Sequence, residues 1–285
     1  KVLAASRPSY NLYVVPRRLD MTTTWPKLTE FVGMQHEERL RLEEKLKRIT
    51  DDPEDKRREQ QILLKEDISR DAVGILTTHA ADLPGVAVVP VPVRFYPYGE
   101  VGSHAIGYMA EVSAETLPKL RSAGYLEGDR LGVTGTERAW ESYLRGTRGA
   151  EKVLVDARGR RRPGLSGIVD EADARVDPVP GRDLKLTLDI ELQEAAAKAF
   201  RGELAGGVAV VDIRTGRILV LYSKPGFDPN AVSGAQGRAV IRDTFRRMYS
   251  DPLKPAVDKT VSGSYPPGST FKPFTALAGL EKGLI

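Results

Sequence analysis

The stretch that most constrains the fold lies near the end of the chain and reads Tyr265-Pro-Pro-Gly-Ser-Thr-Phe-Lys-Pro-Phe274. Its first four residues form turns, because proline holds the backbone extended and glycine then permits a sharp bend. From Ser269 to Leu280 the apolar residues recur at helical spacing. These apolar positions are Phe271, Phe274, Leu277, Ala278 and Leu280. The pattern predicts a helix that begins at or near Ser269.

Ser269 and Lys272 are the candidate catalytic pair in this stretch. In a helix, Lys272 follows Ser269 by one turn on the same face. A hydroxyl and an amine in this arrangement suit a serine nucleophile activated by a lysine general base. The four-residue pattern alone is not specific, since a serine N-cap followed by a solvated lysine gives the same letters.

Activation of a serine by a lysine needs a lysine that can be neutral and groups that stabilise negative charge, and the sequence meets these requirements only in part. A lysine with a reference pKa of about 10.4 is a poor base at neutral pH, and burial or neighbouring positive charge must favour its neutral form. The helix N-terminus would stabilise negative charge at Ser269, and the backbone N–H of Ser269 is expected to be one oxyanion donor. Pro273 cannot donate to the Ser269 carbonyl, so the first turn should be loosened or begin later.

The ten residues from Tyr265 to Phe274 closely resemble the start of the active-site helix in class B penicillin-binding proteins, where Ser-x-x-Lys is a known signature. Within that family the stretch looks most like the elongation-type enzymes. Weaker similarities cover most of the first 180 residues and the loop after residue 223. They are Leu83-Pro-Gly-Val86, Arg94-Phe-Tyr-Pro97, His104-Ala-Ile-Gly-Tyr108, residues 132–146 and residues 224–230.

The sequence departs from the family pattern in three places. Asp258-Lys-Thr260 stands where family members usually have Asn-Arg-Ala. The later family motifs Ser-x-Asn and Lys-Thr-Gly do not follow Lys272 in these 285 residues, and the N-terminal membrane helix is also not present in them. We therefore expect both ends of the sequence to be truncated, and we do not expect these residues alone to form a complete transpeptidase site.

The resemblance implies an α+β architecture. An extended N-terminal pedestal with a helical head lobe would precede the first part of a penicillin-recognising serine transferase domain, in which helices flank an antiparallel sheet. The pattern of residue types along the chain changes near Val179-Pro-Gly-Arg182, and we place the domain boundary there. The predicted domains are residues 1–178, with the head lobe at about 35–81, and residues 179–285.

Local patterns predict the elements of the pedestal. Residues 10–15 are rich in aromatic and β-branched residues and predict a strand that stops at Pro16. Residues 35–49 show helical spacing, and Asp52-Pro53 reads as the start of a second helix that runs to about Ala81. Two charged helices with a tight connection predict a helical hairpin, either solvated or in contact with a partner protein. The proline-rich residues 83–98 predict an edge strand.

Further patterns follow the predicted boundary. Residues 183–188 alternate as a strand, and Asp189 is expected to cap a helix that runs to about Phe200. The expected apolar stripe of that helix is Leu192, Ala195, Ala196 and Ala199. Residues 207–213 and 217–222 predict a β-hairpin. The basic residues 238–247 predict a surface helix over the site entrance. The run Arg158-Gly-Arg-Arg-Arg-Pro163 reads as an exposed hairpin tip, with contact to lipid head groups as the alternative.

Composition narrows the remaining choices. The formal net charge of +4 is too small to demand a nucleic-acid partner. The absence of cysteine excludes disulfides and thiolate chemistry. The three histidines, His36, His79 and His104, do not have metal-ligand spacing and are expected to make hydrogen bonds in the core or at the surface. No metal or cofactor is expected.

The resemblance implies a serine-type D-Ala-D-Ala transpeptidase or carboxypeptidase. Ser269 would attack the penultimate D-Ala of a peptidoglycan stem peptide during cell-wall elongation, and β-lactams would inhibit the enzyme covalently. The pedestal and a membrane helix would engage a SEDS-family glycosyltransferase of the RodA type. The implied location is the bacterial inner membrane, with a single span and this chain on the periplasmic side. Two alternatives remain: a β-lactam sensor or hydrolase, and a non-catalytic scaffold for the glycosyltransferase.

Overall fold

The computed structural model describes residues 1–151, 175–233 and 238–284. The strands in these ranges are β1 (Ala5–Val14), β2 (Ile62–Lys65), β3 (Val86–Phe95), β4 (Met109–Glu111), β5 (Arg130–Gly132), β6 (Ala150–Glu151), β7 (Arg175–Val176), β8 (Gly206–Val211) and β9 (Ile218–Lys224). The α-helices are α1 (Thr24–Phe31), α2 (His36–Asp51), α3 (Arg70–Thr78), α4 (Ser103–Ile106), α5 (Leu117–Leu120), α6 (Gly135–Ala139), α7 (Glu141–Leu144), α8 (Ile190–Ala199), α9 (Pro229–Ser233), α10 (Arg238–Ser250) and α11 (Lys272–Glu281).

The chain forms two compact units, and both are assembled from separate stretches of sequence. The first unit consists of Lys1–Gly99, Tyr108–Val133 and Asp228–Arg247. The second consists of Glu100–Gly107, Thr134–Phe227 and the residues from Met248 onward. The predicted boundary at residue 178 remains a prediction.

A three-stranded antiparallel sheet in the order β2-β1-β3 organises the first unit. β1 pairs with β3 along its whole length, from Ala5 opposite Phe95 to Val14 opposite Val86. The predicted strand ending before Pro16 is confirmed. Because alternate residues of a strand point to opposite faces, Leu12 and Val14 share a face, and helices α1, α2 and α3, strand β2 and the connecting segments supply the rest of that core. The buried core residues are Leu12, Val14, Leu19, Trp25, Leu28, Leu46, Leu64, Ile68, Ala72, Leu76 and Leu83.

The proline-rich segment is an edge strand, as its composition predicts. Among the described strands, β3 pairs only with β1, and Pro90 and Pro92 lie opposite Tyr10 and Pro8. Proline has no N–H to donate to a ladder, so it is tolerated where one side of the strand has no partner strand. The prolines also discourage another strand from adding to this edge.

The predicted helical hairpin is wrong in its second half. Helix α2 confirms the helix predicted at residues 35–49, but no single helix follows it. Residues 62–65 form β2, which pairs with the end of β1, and α3 covers only Arg70–Thr78. The Asp52 side chain accepts from the Glu54 N–H at 3.0 Å, as a helix N-cap would, but residues 53–54 form only a turn and a short 3₁₀ helix, Lys56–Glu59, follows.

Asp67 explains why the chain turns between β2 and α3. Its backbone has a φ of 49°, which a continuous helix cannot contain. The strained conformation is held because its N–H donates to the Asn11 side chain at 3.2 Å and its carboxylate accepts from Arg7 and Ser9 at 2.5–2.9 Å. These are long-range tertiary contacts, so helical spacing alone could not reveal the turn.

The predicted β-hairpin in the second unit is confirmed. β8 and β9 pair from Gly206 opposite Lys224 to Val211 opposite Ile218, joined by a turn at Asp212–Arg217. Helix α8 begins after Asp189, whose side chain accepts from the N–H groups of Glu191 and Leu192 as expected. Residues 183–188 form no strand, which corrects the prediction. Instead, the Asp189 N–H donates to the Leu219 carbonyl at 2.9 Å, beside the hairpin.

The buried face of α8 also differs from the prediction. Leu192, Ala195 and Ala199 are exposed, whereas Gln193 is 1% exposed. The Gln193 side chain donates to the Leu221 carbonyl at 3.0 Å and accepts from the Leu221 N–H at 3.2 Å. It thereby satisfies the backbone of β9 as a neighbouring strand would. A fully hydrogen-bonded glutamine can be buried at little cost, so the spacing of apolar residues predicted the wrong buried face for α8.

Two glycines of the family-like segments meet in the second unit. A Cβ added to Gly135 would lie 2.6 Å from the Gly107 nitrogen, and both glycines have positive φ, 58° and 85°. Only glycine allows this backbone contact between the end of α4 and the start of α6. The resemblance at residues 104–108 and 132–146 therefore corresponds to a specific packing contact.

The predicted α+β class with antiparallel sheets flanked by helices is confirmed. Residues 238–250 form the predicted basic helix, α10. The basic run Arg158–Pro163 lies outside the described residues. Within the ranges that are described, no helix combines the length and the apolar character needed to cross a membrane.

Candidate active site

Ser269 lies in a 3₁₀ turn directly before the last helix. The turn covers Gly268–Phe271, and α11 begins at Lys272. The Lys272 N–H donates to the Ser269 carbonyl, which is the three-residue spacing of a 3₁₀ turn. An α-helical bond to that carbonyl would need an N–H on residue 273, which is proline. The expectation of a loosened first turn is confirmed, and its cause is Pro273.

The tight turn favours the arrangement proposed for Ser269 and Lys272. Residues three apart eclipse each other in a 3₁₀ turn, whereas in an ideal α-helix they lie about a sixth of a turn short of eclipsing. Both residues are exposed. Among the described residues, neither the Ser269 hydroxyl nor the Lys272 ammonium has a hydrogen-bond partner.

The apolar side chains around this turn are uncovered in the described part of the chain. Phe271 and Phe274 lie with their ring centroids 5.7 Å apart and are 56% and 64% exposed. Leu277 and Leu280 are exposed to a similar extent, so the predicted helix is present but its apolar residues are not buried. Lys272 lines a shallow depression of about 660 Å³ along α11, together with Thr275, Ala276, Ala278, Gly279, Lys282 and Leu284.

His104 anchors the segment that leads to this turn. Its Nε2 lies 2.7 Å from the Pro255 carbonyl oxygen, and its ring packs edge-on against Phe227 with centroids 5.3 Å apart. Partial burial lowers the pKa of His104, although the bond to Pro255 opposes this effect. The prediction of a hydrogen-bonding histidine is confirmed for His104.

We expect His104 to make the protein less stable as the pH falls. The unfolded chain has a histidine pKa near 6.5, and the folded pKa is lower, so the unfolded state binds the proton first. The contribution is complete above about pH 6.5 and is lost as the pH falls below it. Between about pH 7.5 and pH 5, a range that spans the reference histidine pKa, the urea midpoint of the wild type should therefore fall more than that of His104→Gln.

His36→Gln provides the control for this experiment, because His36 is exposed. Its urea midpoint should follow the wild type across the same pH range. If His104→Gln also follows the wild type, the buried histidine does not contribute to the pH dependence.

Sequence reasoning missed two residues that contact the same segment, Gly207 and Ser223. The Ser223 hydroxyl accepts from the Lys259 N–H at 2.9 Å, and a Cβ on Gly207 would lie 3.0 Å from the Thr260 methyl group. A glycine inside a strand is a recognised sign of a close approach by another backbone, so Gly207 was detectable in principle. Ser223 carries no such signal.

No group of three or more histidine, aspartate or glutamate side chains in the described ranges is placed to hold a metal ion.

The side chains near Ser269 can supply a nucleophile and a base, and the backbone N–H of Ser269 can donate to an oxyanion. These groups are of the type used in acyl transfer through a serine ester, although the two side chains are not hydrogen-bonded to each other in the described structure.

Comparison with known proteins identifies both halves of the chain. Residues 1–186 match the penicillin-binding protein dimerisation domain, and residues 206–285 match the penicillin-binding protein transpeptidase domain. The peptidoglycan D,D-transpeptidase MrdA of Escherichia coli (strain K12) is 30% identical over 99% of this chain and 42% of its own length. The enzyme of the same name from Haemophilus influenzae is 28% identical over 100% of this chain and 42% of its own length.

A solved structure shares the fold. It is the complex between penicillin-binding protein 2 and MreC from Helicobacter pylori, which aligns with a TM-score of 0.72 over 99% of this chain and 49% of that chain, at 22% identity. The chain spans about 42% of the length of the MrdA relatives given above. On the strength of the two domain matches, the chain belongs to the penicillin-binding proteins, with a dimerisation domain followed by transpeptidase-domain sequence and with peptidoglycan D,D-transpeptidases among its relatives.

Proposed function

We propose that the complete protein is a peptidoglycan D,D-transpeptidase that cross-links stem peptides during cell-wall elongation. The observation that carries this proposal is the 3₁₀ turn that links Ser269 to Lys272, within the stretch that matches a transpeptidase domain. The relatives named as peptidoglycan D,D-transpeptidases support the same activity.

In the proposed reaction, the Ser269 oxygen attacks the carbonyl carbon of the penultimate D-Ala of a stem peptide. Lys272 takes the hydroxyl proton as the new C–O bond forms, and the Ser269 N–H donates to the oxyanion. The C–N bond then breaks, and the terminal D-Ala leaves with the proton returned by Lys272. An amine of a neighbouring stem peptide attacks the ester carbonyl, Lys272 takes the proton that the amine loses, and Lys272 passes it to Ser269 as the ester C–O bond breaks and the cross-link forms.

Lys272 can act as a base only if its neutral form is accessible near neutral pH. Loss of water around an ammonium group favours that neutral form. Lys272 and the apolar side chains of α11 are exposed in the described residues. We therefore expect the complete protein to cover this helix, which would bury both the apolar residues and the amine.

The partners and location follow from the same assignment. β-Lactams would acylate Ser269 in place of the stem peptide. The dimerisation-domain part would engage and regulate a SEDS-family glycosyltransferase of the RodA type, together with a membrane helix. The chain would lie on the periplasmic side of the inner membrane. The solved relative was obtained with a protein partner, MreC, which is compatible with a partner-binding role for this part of the chain.

The alternatives predict different behaviour. A β-lactam hydrolase of this kind is a single domain, and the dimerisation-domain match over residues 1–186 argues against that reading. A scaffold without catalysis would need neither Ser269 nor Lys272, although it could bind the same glycosyltransferase.

Labelling with a fluorescent penicillin separates these possibilities. We expect the complete gene product to form a covalent adduct that survives denaturing electrophoresis and persists after free label is removed. Loss of the label within minutes would indicate a hydrolase, and absence of any label would leave the scaffold. Formation of cross-linked dimers from purified stem-peptide substrate would test the transpeptidase reaction itself.

A further inference from the structure

The residues that lead to the Ser269 turn form a compact segment of their own. The Asp258 carboxylate accepts from the Thr260 N–H at 2.9 Å, and the Ser262 N–H donates to the Asp258 carbonyl at 2.9 Å. The Lys259 ammonium donates to the Lys254 carbonyl at 3.0 Å. We call residues 254–263 the approach segment. Because it is bonded internally, a shift at one of its residues is transmitted to the others.

Ser223 of β9 fastens this segment to the hairpin. It is 3% exposed, and its hydroxyl acts both as a donor and as an acceptor towards the approach segment. The hydroxyl donates to the Val257 carbonyl at 3.3 Å and accepts from the Lys259 N–H at 2.9 Å. One buried side chain therefore fixes two backbone positions that are two residues apart.

Gly207 of β8 is the cross-strand partner of Ser223. A Cβ at Gly207 would lie 3.0 Å from the Thr260 methyl carbon and 3.1 Å from the backbone of Lys259 and Thr260. Gly207 does not have a positive φ, so its backbone would accept alanine. The glycine is needed for space, and any larger residue would push the approach segment away by a few tenths of an ångström.

We infer that Gly207 and Ser223 form a notch that positions Ser269 for acylation. Gly207 provides the space and Ser223 provides the hydrogen bonds, and together they hold residues 257–260 against the hairpin. Ser269 follows Thr260 by nine residues, and the intervening Pro266 and Pro267 limit the backbone freedom between them. Neither notch residue touches the substrate, so both are positioning residues. The catalytic part of this inference rests on the proposed function.

The position of Ser269 matters because acylation depends on a near-attack geometry, in which small displacements of the reacting atoms lower the rate. In the complete gene product, we expect Ser223→Ala to lower the acylation rate constant of a fluorescent penicillin by about tenfold. The dissociation constant of the non-covalent complex should change much less. Ser223→Thr keeps the hydroxyl and should restore most of the rate.

Ser233→Ala is the matched control. Ser233 is also fully buried, and its hydroxyl also accepts a backbone hydrogen bond at 2.9 Å, from Met109 in the first unit. The two variants therefore lose the same chemical group, but only Ser223→Ala releases the approach segment. A general loss of stability would lower acylation in both variants.

Amide hydrogen exchange provides a readout that does not depend on activity. Ser223→Ala should accelerate exchange at the Lys259 amide, and Ser233→Ala should leave it unchanged. Gly207→Ala provides a second variant that keeps the Ser223 hydroxyl and displaces the segment by its Cβ. It should lower the acylation rate constant at an unchanged dissociation constant.

The outcomes separate this inference from the proposed function. If the wild type is labelled and both notch variants are labelled at the wild-type rate, the notch does not position Ser269. If exchange at Lys259 is unchanged in Ser223→Ala, the hydrogen bond does not hold the segment and the inference is overturned. If the wild type itself is never labelled, the proposed function fails, while the exchange experiment still tests the attachment of the segment.

Discussion

We expect Ser269→Ala to abolish covalent labelling of the complete gene product by a fluorescent penicillin. The substitution removes the oxygen that would form the acyl ester, and the loss of a nucleophile in a serine enzyme lowers the rate by about a millionfold. Labelling should therefore stay at background at any practical penicillin concentration. The measurement is in-gel fluorescence after denaturing electrophoresis.

Ser264→Ala is the matched control for the nucleophile. Ser264 is an exposed serine five residues earlier in the same region, and its loss should leave labelling intact. Ser269 is also exposed and its side chain makes no hydrogen bond in the described structure, so Ser269→Ala should change the free energy of unfolding by less than about 0.5 kcal/mol. A stable adduct on Ser269→Ala would show that another residue is the nucleophile.

The second large effect concerns Lys272. We expect Lys272→Ala to lower the acylation rate constant by about 10²–10⁴-fold, the usual contribution of a general base. Lys272→Arg should be impaired to a similar degree, because arginine keeps the positive charge but cannot give up its proton near neutral pH. This variant separates a role in proton transfer from a role in charge stabilisation.

Lys282→Ala is the control for this prediction. Lys282 is an exposed lysine directly after α11, and its replacement removes one positive charge beside the end of that helix without changing the Ser269 turn. It should be acylated at the wild-type rate, and all three lysine variants should unfold at the wild-type midpoint. Normal acylation of Lys272→Ala would remove Lys272 from the mechanism.

Much of the local structure could be predicted from the sequence. The strand ending at Pro16, the helix at residues 36–51 and the capped helix after Asp189 all depend on interactions between residues close in sequence. The same holds for the 3₁₀ turn at Ser269, because the missing N–H of Pro273 is a property of that residue alone. Such features are encoded by backbone chemistry within a few residues.

The errors arose where distant residues determined the conformation. Residues 62–65 have an apolar pattern that suits a helix, but pairing with β1 makes them a strand. Gln193 is buried because its side-chain amide exchanges hydrogen bonds with the Leu221 backbone. The Thr187 hydroxyl donates to the Ile218 carbonyl of β9, but residues 183–188 form no strand. In each case the decisive partner lies elsewhere in the chain, and propensity within the segment contains no information about it.

The sequence by itself determined the family resemblance, the α+β class and the chemical identity of the candidate pair. The residue types at Ser269, Lys272 and the turn residues before them follow directly from the amino-acid sequence. Only the tertiary structure decided how that pair is supported. Ser223, Gly207 and His104 contact the approach segment from positions 34 or more residues away in sequence. Their roles come from hydrogen bonds and close packing across the fold, which depend on distances in space and not on spacing along the chain.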